Sequence, residues 1–329
     1  MVSVLWLAIC LCTAPQASFV NIDDTQCLLF AVCGPTVLGM ERATAVMTVI
    51  TVILVPLLLA IFKVWLTRKW RDKLRVRIAP TLNDKQFQEL SALYCERVPD
   101  YERVPPNHFS AFFRREYSAK SIRDFRDRIS RDNVPVHLLF VGQTAQDICG
   151  FLKAIYVPGV HCLFIAYLVA TKRGTHEERT VTQKLLTSLF AACQKSAVQS
   201  VVFEICVHPE SKHAAKARLF RHYASAHGLR LRRIDAKYQQ PEICSFEAGD
   251  CNVTDAGLYI AYMEAQTRDT RHSISLDDYR RLVVAIYKNV YLMSYALSEP
   301  QLVTRYQNFL QQLARMLFAT TKEGAVDLK

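Results

Sequence analysis

Cysteine and histidine side chains could bind a metal or attack an electrophile, and their spacing in this chain favours neither chemistry. The only close pair among the eleven cysteines is Cys10/Cys12, which lies in an apolar segment and lacks the spacing of a zinc site. His222 and His227 lie five residues apart, whereas two ligands on one helix face are four apart. No Ser-His-Asp order stands out either. We therefore predict no metal site, and a main body whose thiols are reduced and intracellular.

The uneven distribution of charge predicts a membrane anchor and no nucleic-acid partner. The formal net charge is +11, yet residues 1–40 contain no Lys or Arg, while six basic residues and one acid lie between Arg68 and Arg77. Just before this cluster, Ala43–Phe62 is uncharged and about 30 Å long as a helix, which matches the core of a bilayer. We predict a transmembrane helix at 43–66 that contacts membrane lipid, followed by a basic juxtamembrane segment at 67–78.

The same charges predict an orientation in the membrane. Cytoplasmic flanks of membrane helices are rich in Lys and Arg, so we expect a single-pass protein of the cell inner membrane with its body in the cytoplasm. Segment 1–42 allows three interpretations: a signal-like segment, a short first span, or a gene-start artefact with the natural start at Met40 or Met47. The sequence does not separate them.

From Arg75 onward the apolar pattern alternates between strand-like runs and helical spacing, which predicts an α+β body at 79–265. The predicted strands are Val76–Pro80, Val136–Gly142, Ile148–Val157, Cys162–Ala170, Ser200–Val207, Leu229–Ile234 and Leu258–Met263. The predicted helices are one capped by Asn83/Asp84, then His108–Tyr117, Ser121–Ile129, Arg179–Lys195 and Ser211–His227. The order of these elements limits the folds that the body can adopt.

The tail, 266–329, contains two amphipathic helices. Apolar side chains recur at helical spacing from Tyr279 to Val290, and again from Val303 to Leu317. Each stripe needs a partner surface, which is either the body or a second subunit. A homodimer through these two C-terminal helices is therefore one expectation.

The order of elements over roughly residues 76–265 resembles the GNAT acetyltransferase superfamily. The most specific segment is Tyr167–Leu186 (YLVATKRGTHEERTVTQKLL), which is similar to the fourth strand, pyrophosphate loop and following helix of that superfamily. Ala217–Leu229 (ARLFRHYASAHGL) is similar to the helix before the sixth strand. The resemblance implies a mixed, mostly antiparallel sheet flanked by helices, to which this chain adds the transmembrane helix and the two C-terminal helices.

The resemblance also implies an acyl-CoA site. Backbone N–H groups at a helix N-terminus bind pyrophosphate, and small residues let the backbone approach it. Anchoring the pattern on Leu185–Leu186 puts Thr180 and Thr182 at the small positions, while Glu177 replaces the usual Gln or Arg and repels phosphate. The cofactor-binding candidates are Leu168, Val169 and Ala170 on the strand, and Arg179, Thr180, Val181, Thr182 and Gln183 after the loop.

Three side chains are candidates for proton transfer if acyl-CoA binds. Tyr223, on the helix that faces the thioester sulfur in the superfamily, is the candidate general acid. Glu204 in the fifth long strand and His208 at its end are candidate bases, acting directly or through water. Ordinary packing, pairing with an arginine, or a position in a surface loop explains each of them equally well.

Together these features predict a membrane-anchored N-acyltransferase. It would move an acetyl or longer acyl group from acetyl-CoA or another acyl-CoA to a primary amine, on a small molecule or a protein, by direct attack on the thioester. One alternative is an enzyme like the N-acyl amino acid synthases that uses a long-chain acyl donor. The other is a non-catalytic acyl-CoA sensor or interaction platform, which the loss of loop glycines favours.

Overall fold

The structure is a computed structural model that describes residues 50–99, 103–111, 113, 118–131, 133–145, 147–171, 175–194, 196–207, 213–242, 252–263, 272–321 and 325–329. The chain divides after Leu66 into two compact units. The predicted N-terminal segment 1–42 and the first residues of the predicted transmembrane helix lie outside the described residues.

The N-terminal part is helical. A π-helical turn at Ile50–Leu54 leads into helix α1, Val55–Lys73. Large apolar side chains along Val52–Trp65, among them Leu57, Leu59 and Phe62, are between 44% and 67% exposed. No helix among the described residues is both long enough and apolar enough to cross a bilayer, so the predicted span is not confirmed.

The body is built on an eight-stranded mixed sheet. The strand order is β1-β2-β3-β4-β5-β8-β6, with β7 also paired to β8, and every pairing is antiparallel except the parallel pair β4/β5. The strands are β1 Arg75–Ile78, β2 Val136–Gln143, β3 Ile148–Val157, β4 Cys162–Ala170, β5 Ser200–Cys206, β6 Leu231–Arg233, β7 Tyr238–Pro241 and β8 Val253–Tyr262.

Helices cover both faces of this sheet, so its central strands are apolar on both sides. The first face packs against α4 (Ile122–Arg131), α5 (Thr175–Cys193) and α6 (His213–Ala226), and buries residues such as Leu152, Leu163 and Val201. The second face packs against α2 (Asp84–Arg97) and α3 (Pro106–Ala111), and buries Phe151 and Val169. This double cover agrees with the near-continuous apolar runs of β3 and β4.

The C-terminal tail completes the cover of the second face. It consists of α7 (Leu276–Ile286), a π-helical segment (Tyr287–Leu292), α8 (Met293–Ser298) and α9 (Val303–Thr320). A two-stranded sheet, β9 (Ser273–Ser275) with β10 (Ala325–Asp327), joins its two ends. Most of the apolar stripe residues, for example Val283 and Leu317, are buried with sheet residues such as Phe164. Of the two predicted partner surfaces, the body is the one that the stripes contact, and a homodimer stays a prediction.

The predicted mixed, mostly antiparallel sheet flanked by helices is thus present. Predicted strands β3 and β4 have the observed bounds, and the cap at Asn83 is confirmed by a capping box with Gln86. Two starts were wrong by four residues or more: α5 begins at Thr175 instead of Arg179, and β8 begins at Val253 instead of Leu258. Helix α3 begins at Pro106 instead of His108, and its predicted end at Tyr117 lies outside the described residues. Strands β7, β9 and β10 were not predicted.

Candidate active site

The two parallel strands separate in the middle of the sheet. Strand β4 pairs with β5 only over Cys162–Ile165 and Ser200–Phe203, and the described residues form no further ladder pairs between them. At the same point β4 carries a bulge, because Ile165 pairs with Ala154 and Tyr167 pairs with Lys153, which leaves Ala166 as the extra residue. A bulge rotates the strand locally, so Ala166 and Tyr167 both pack on the second face of the sheet. A gap therefore opens between β4 and β5 in an otherwise continuous sheet.

Glu204 is the first residue of β5 beyond this separation. It alternates with the first-face residues Phe203 and Ile205, so its carboxylate lies on the second face. The Tyr238 hydroxyl donates to Oε2 at 2.6 Å, and the Tyr291 hydroxyl donates to Oε1 in a very short contact. Two buried phenols, one from β7 and one from the π-helical segment, thus hold the two carboxylate oxygens.

The surroundings shift the protonation equilibrium of Glu204. Burial raises the pKa of its carboxyl from 4.5 to about 7, while the hydrogen bonds from Tyr238 and Tyr291 act in the opposite direction. A carboxylate with a pKa near neutrality is suited to accept and release a proton in general acid–base catalysis. Burial likewise raises the pKa of both phenols well above 10, so they remain hydrogen-bond donors.

Glu204 lines a large cavity on the second face. The cavity has a volume of about 830 Å³, within the range of small-molecule sites. Its wall is mainly aromatic and aliphatic. The residues that form it come from α2, α3 and the segment before α3, β4, β5, β7, β8 and the π-helical segment: Phe87, Ser91, Tyr94, Cys95, Arg103, Val104, Pro105, Pro106, Phe109, Phe164, Ala166, Tyr167, Glu204, Cys206, Gln240, Pro241, Glu242, Thr254, Val290 and Tyr291.

The predicted cofactor residues fall into two groups. Leu168, Val169 and Ala170 lie on β4 beyond the bulge, beside the gap. Arg179 to Gln183 lie inside α5, because that helix begins at Thr175, and the amides of helix residues past the first turn bond to their own helix. Thr180, Val181 and Thr182 are buried, and a Cβ added at Gly150 would lie 2.6 Å from Val181 Cγ1. Arg179 and Gln183 are exposed.

The observed first turn of α5 carries two acidic side chains, one of which forms an ion pair with α2. Its acidic residues are Glu177 and Glu178, whose charges already complement the positive end of the helix dipole. The Arg97 guanidinium of α2 donates to Glu178 Oε1 at 2.6 Å, which ties α2 to this turn. The backbone N–H groups available to a phosphate are therefore those at or before Glu178, four residues earlier than the resemblance implied.

The other two predicted proton-transfer residues lie apart from Glu204. The Tyr223 hydroxyl donates to the Arg179 carbonyl at 3.2 Å, so it lies against the start of α5 on the first face of the sheet, and it is not part of the cavity wall. Burial raises the pKa of its phenol. His208 lies outside the described residues.

Sequence analysis missed the phenols that hold Glu204. Tyr291 directly follows the predicted stripe of the tail and Tyr238 lies in an unpredicted strand, so neither was among the predicted site residues. The one available signal was the repetition of tyrosine at Tyr287 and Tyr291, four residues apart on the helix face that already carried a predicted stripe. Among the described residues, no three His, Cys, Asp or Glu side chains are close enough to hold a metal ion.

Solved acetyltransferase structures are similar to this chain over part of its length. A structure described as a GNAT-family acetyltransferase from Bacteroides thetaiotaomicron is 18% identical, and the match covers 66% of this chain and 98% of that one with a TM-score of 0.40. The ribosomal-protein-S18-alanine N-acetyltransferase from Escherichia coli is 10% identical, with 60% and 99% covered and a TM-score of 0.36. The chain resembles GNAT acetyltransferases.

A third similar structure is the dodecameric spermidine N-acetyltransferase from Vibrio cholerae. It is 12% identical, and the match covers 61% of this chain and 99% of that one with a TM-score of 0.33. No family model and no curated protein matches the sequence. The likeness is one of fold, and the chemistry must be inferred from the site itself.

Proposed function

We propose that this protein is an acyl-CoA-dependent N-acyltransferase that acts on primary amines, with Glu204 as its general base. One observation carries the proposal: a partly buried carboxylate faces a cavity of about 830 Å³ at the point where two parallel strands separate, and each of its oxygens accepts a bond from a phenol. A titratable group with a shifted pKa in a cleft is a candidate for catalysis.

The residues around the gap fit an acyl-CoA donor. Between Ala166 and Ala170, β4 turns an edge without a described strand partner towards β5, and such an edge can bond to the amides of a pantetheine arm. The backbone N–H at the Ala166 bulge is suited to polarise a carbonyl beside Glu204. The start of α5 supplies N–H groups for the pyrophosphate. When bound, acyl-CoA supplies the acyl group as an activated thioester.

The chain's own residues then move two protons. Glu204, as a carboxylate, accepts a proton from the amine nitrogen so that the nitrogen can attack the acyl carbon. The hydrogen bonds from Tyr238 and Tyr291 fix the orientation of the carboxylate, and the apolar wall excludes water from the attacking nitrogen. Tyr223, whose hydroxyl bonds to the Arg179 carbonyl on the first face, is the candidate donor of the proton that the departing thiolate takes, from the other side of the gap. Because the pKa of Glu204 is about 7, we expect activity to rise with pH through neutrality.

Anchoring to the inner membrane, with the body on the cytoplasmic side, belongs to the same proposal. It is supported by the cluster of basic residues at Arg68–Arg77 and by the exposed apolar side chains of α1. Fractionation of cells that express the full chain tests it, because an anchored protein stays with the membranes through an alkaline carbonate wash. Recovery of the chain in the wash would contradict the anchor and leave the catalytic proposal intact.

A second candidate function is an acyl-CoA sensor or interaction platform without catalysis. The observation that favours it is the first turn of α5, where Glu178 pairs with Arg97 at the position at which a phosphate would bind. The sensor predicts binding of acyl-CoA without turnover, and the interaction platform predicts neither binding nor turnover.

Calorimetric titration of the full chain with acetyl-CoA and with a long-chain acyl-CoA is the first test, followed by a thiol-release assay with simple amines. Preference for the long chain would favour an enzyme with a lipidic donor. Glu204→Gln keeps the shape of the site, and its amide oxygen can still accept from one of the two phenols, but it cannot accept the proton. We expect it to bind acetyl-CoA as the wild type does and to lose at least about 100-fold in kcat.

Glu96→Gln, which neutralises an exposed carboxylate of α2, is the matched control and should leave kcat unchanged. Binding without turnover in the wild type would favour the sensor. If the folded wild type binds neither donor, the acyltransferase proposal fails.

A further inference from the structure

We propose that the acceptor of this site is a monoamine with a flat apolar body, such as an aryl-substituted alkylamine, and that the body binds against the aromatic wall of the Glu204 cavity. The inference rests on the proposed function and specifies its acceptor. It is drawn from three properties of the cavity: the geometry of its aromatic residues, the balance of its charges and its volume.

The aromatic wall is preformed on one side of the cavity. Tyr94 and Phe109 stack with ring centroids 4.1 Å apart and an interplanar angle of 22°. Tyr167 stands edge-on to both, at 5.5 Å from Tyr94 and 5.9 Å from Phe109. Phe87 continues the wall, with its ring 6.2 Å from that of Phe109. These rings offer faces and edges to a further ring, which is the arrangement that aromatic groups prefer.

Hydrogen bonds hold this wall in place. The Tyr94 hydroxyl accepts a bond from the Val104 N–H at 2.9 Å, so its ring cannot swing into the cavity without breaking that bond. Arg103 donates from Nε to the Val98 carbonyl at 2.6 Å and from Nη2 to the Cys95 carbonyl, which braces the end of α2. A rigid wall favours a rigid ligand group, because little conformational entropy is lost on binding.

The charges that line the cavity favour a single cation. Among the described residues of the wall, Glu204 and Glu242 are acidic and Arg103 is basic. Glu242 also accepts a hydrogen bond from the Thr254 hydroxyl at 3.1 Å. A monoamine can place its nitrogen at Glu204 and its body along the apolar wall. A polyamine would have to bury further ammonium groups against aromatic rings with one remaining carboxylate, which is costly.

The volume allows a ring and its linker beside the acyl group. A cavity of about 830 Å³ is far larger than an acetyl group and ethylamine need, and unfilled apolar volume contributes nothing to binding. Burying a phenyl ring that ethylamine lacks removes enough apolar surface from water to raise affinity by roughly 10- to 100-fold.

The test compares amines that differ in one feature, with the full chain and acetyl-CoA. We expect kcat/KM for phenethylamine to exceed that for ethylamine by at least about tenfold, and spermidine to be no better than ethylamine. Phe87→Ala, which removes a partly exposed ring of the wall, should reduce the phenethylamine-to-ethylamine ratio several-fold. Phe318→Ala, a partly buried ring of α9 outside the cavity, is the matched control and should leave the ratio unchanged.

Ser91→Phe is a second variant, which adds a ring to the cavity wall where Phe87→Ala removes one. Ser91 lines the cavity from α2, and its hydroxyl has no hydrogen-bond partner among the described residues, so the substitution breaks no described bond and fills space. We expect it to raise the KM for phenethylamine more than that for ethylamine. Circular dichroism confirms that each variant is folded before its kinetics are compared.

The outcomes separate this inference from the proposed function. Turnover with a phenethylamine-to-ethylamine ratio near one overturns the inference and leaves the acyltransferase in place. A preference for octanoyl-CoA over acetyl-CoA that Phe87→Ala abolishes also overturns it, because the wall then holds the acyl chain. If no amine is acylated, calorimetry with phenethylamine alone decides: binding tighter than that of ethylamine, weakened by Phe87→Ala, supports the inference, and equal or absent binding overturns it.

Discussion

Two ionisable groups on the same face of the sheet, the partly buried Glu204 on β5 and the fully buried Lys153 on β3, have opposite surroundings. Glu204 faces the cavity and receives hydrogen bonds from two phenols. Lys153 is fully buried, its Nζ makes no hydrogen bond with a described residue, and the only described group over its ammonium is the Phe113 ring at 5.4 Å. Burial brings both groups to a pKa of about 7, from below for the acid and from above for the amine.

The comparison shows what separates a usable buried charge from a costly one. Two phenol hydroxyls stabilise the carboxylate form of Glu204, and the cavity lies beside it. Glu204 can therefore exchange a proton with a ligand bound in the cavity. Lys153 lies one layer behind the cavity wall, directly across the ladder from Tyr167. Its neutral amine is tolerated, whereas its protonated form is opposed by desolvation. The first residue is placed to act and the second reduces stability.

The largest effect should be on stability, and it should come from removing the buried amine of Lys153. Lys153→Met keeps the length of the side chain and removes the charge, so we expect it to raise the free energy of unfolding by roughly 3–5 kcal/mol at pH 6. In the wild type the folded pKa, about 7, lies below that of the unfolded chain, 10.5. Between these values only the unfolded chain binds the proton, so wild-type stability rises with pH and the gain of the variant declines towards pH 10. Denaturant titrations at pH 6, 8 and 10 measure it.

Lys120→Met, which removes an exposed lysine, is the control and should change stability little at any pH. A gain of Lys153→Met that does not depend on pH would mean that packing and not charge explains it, and that Lys153 is not held neutral.

The next effect concerns the second proton transfer, which is proposed for Tyr223, a residue remote from both Glu204 and Lys153. Tyr223→Phe removes the hydroxyl that bonds to the Arg179 carbonyl but keeps the ring. As general acid, Tyr223 should contribute at least about tenfold to kcat, with the neutral limb of the pH profile unchanged because Glu204 sets it. Steady-state rates from pH 6 to 9 measure both quantities. An unchanged kcat would remove Tyr223 from the mechanism without affecting the role of Glu204.

The smallest effect tests whether the two phenols lower the pKa of Glu204. Lys153 has no such partners among the described residues. The double variant Tyr238→Phe/Tyr291→Phe removes both donors to the carboxylate, so the pKa of Glu204 should rise further above 7. We expect the limb of kcat/KM to move about one pH unit higher, with activity roughly fivefold lower at pH 7 and near that of the wild type at pH 9. Tyr279→Phe, whose hydroxyl donates to the Lys237 carbonyl, is the matched control. A limb at the wild-type pH would exclude tuning by these phenols.

Long apolar strands could be predicted from the sequence because they are buried on both faces. The bounds of β3 and β4 follow directly from their apolar runs. Strand β7 (Tyr238–Pro241) was missed because four residues that end in proline carry almost no strand signal, and their pairing with β8 depends on residues distant in the chain. The start of α5 was missed because its first turn is entirely polar and reads as a loop.

Of the three residues that form the candidate site, only Glu204 could be predicted from the sequence. Glu204 stands out as an acid within an apolar strand, whereas Tyr238 and Tyr291 are 34 and 87 residues away from it in sequence. Tyrosine at helical spacing has the same pattern whether its hydroxyl reaches solvent or a carboxylate, so sequence periodicity cannot distinguish a packing residue from one that orients a base.

The π-helical segment Tyr287–Leu292 makes the site sensitive to the length of the chain, beyond the identity of its residues. Its wider turn accommodates a residue that an α-helix would not, and such bulges arise from insertion of one residue into a regular helix. Deleting one residue here would close the wide turn into a regular helix and leave the residues after it in register, so Tyr295 would keep its stacking with Tyr306. The side chains of the turn itself would be repositioned, and Tyr291, which lies inside it, would be displaced from Glu204. A single-codon deletion in this helix would therefore act as a mutation of the active site.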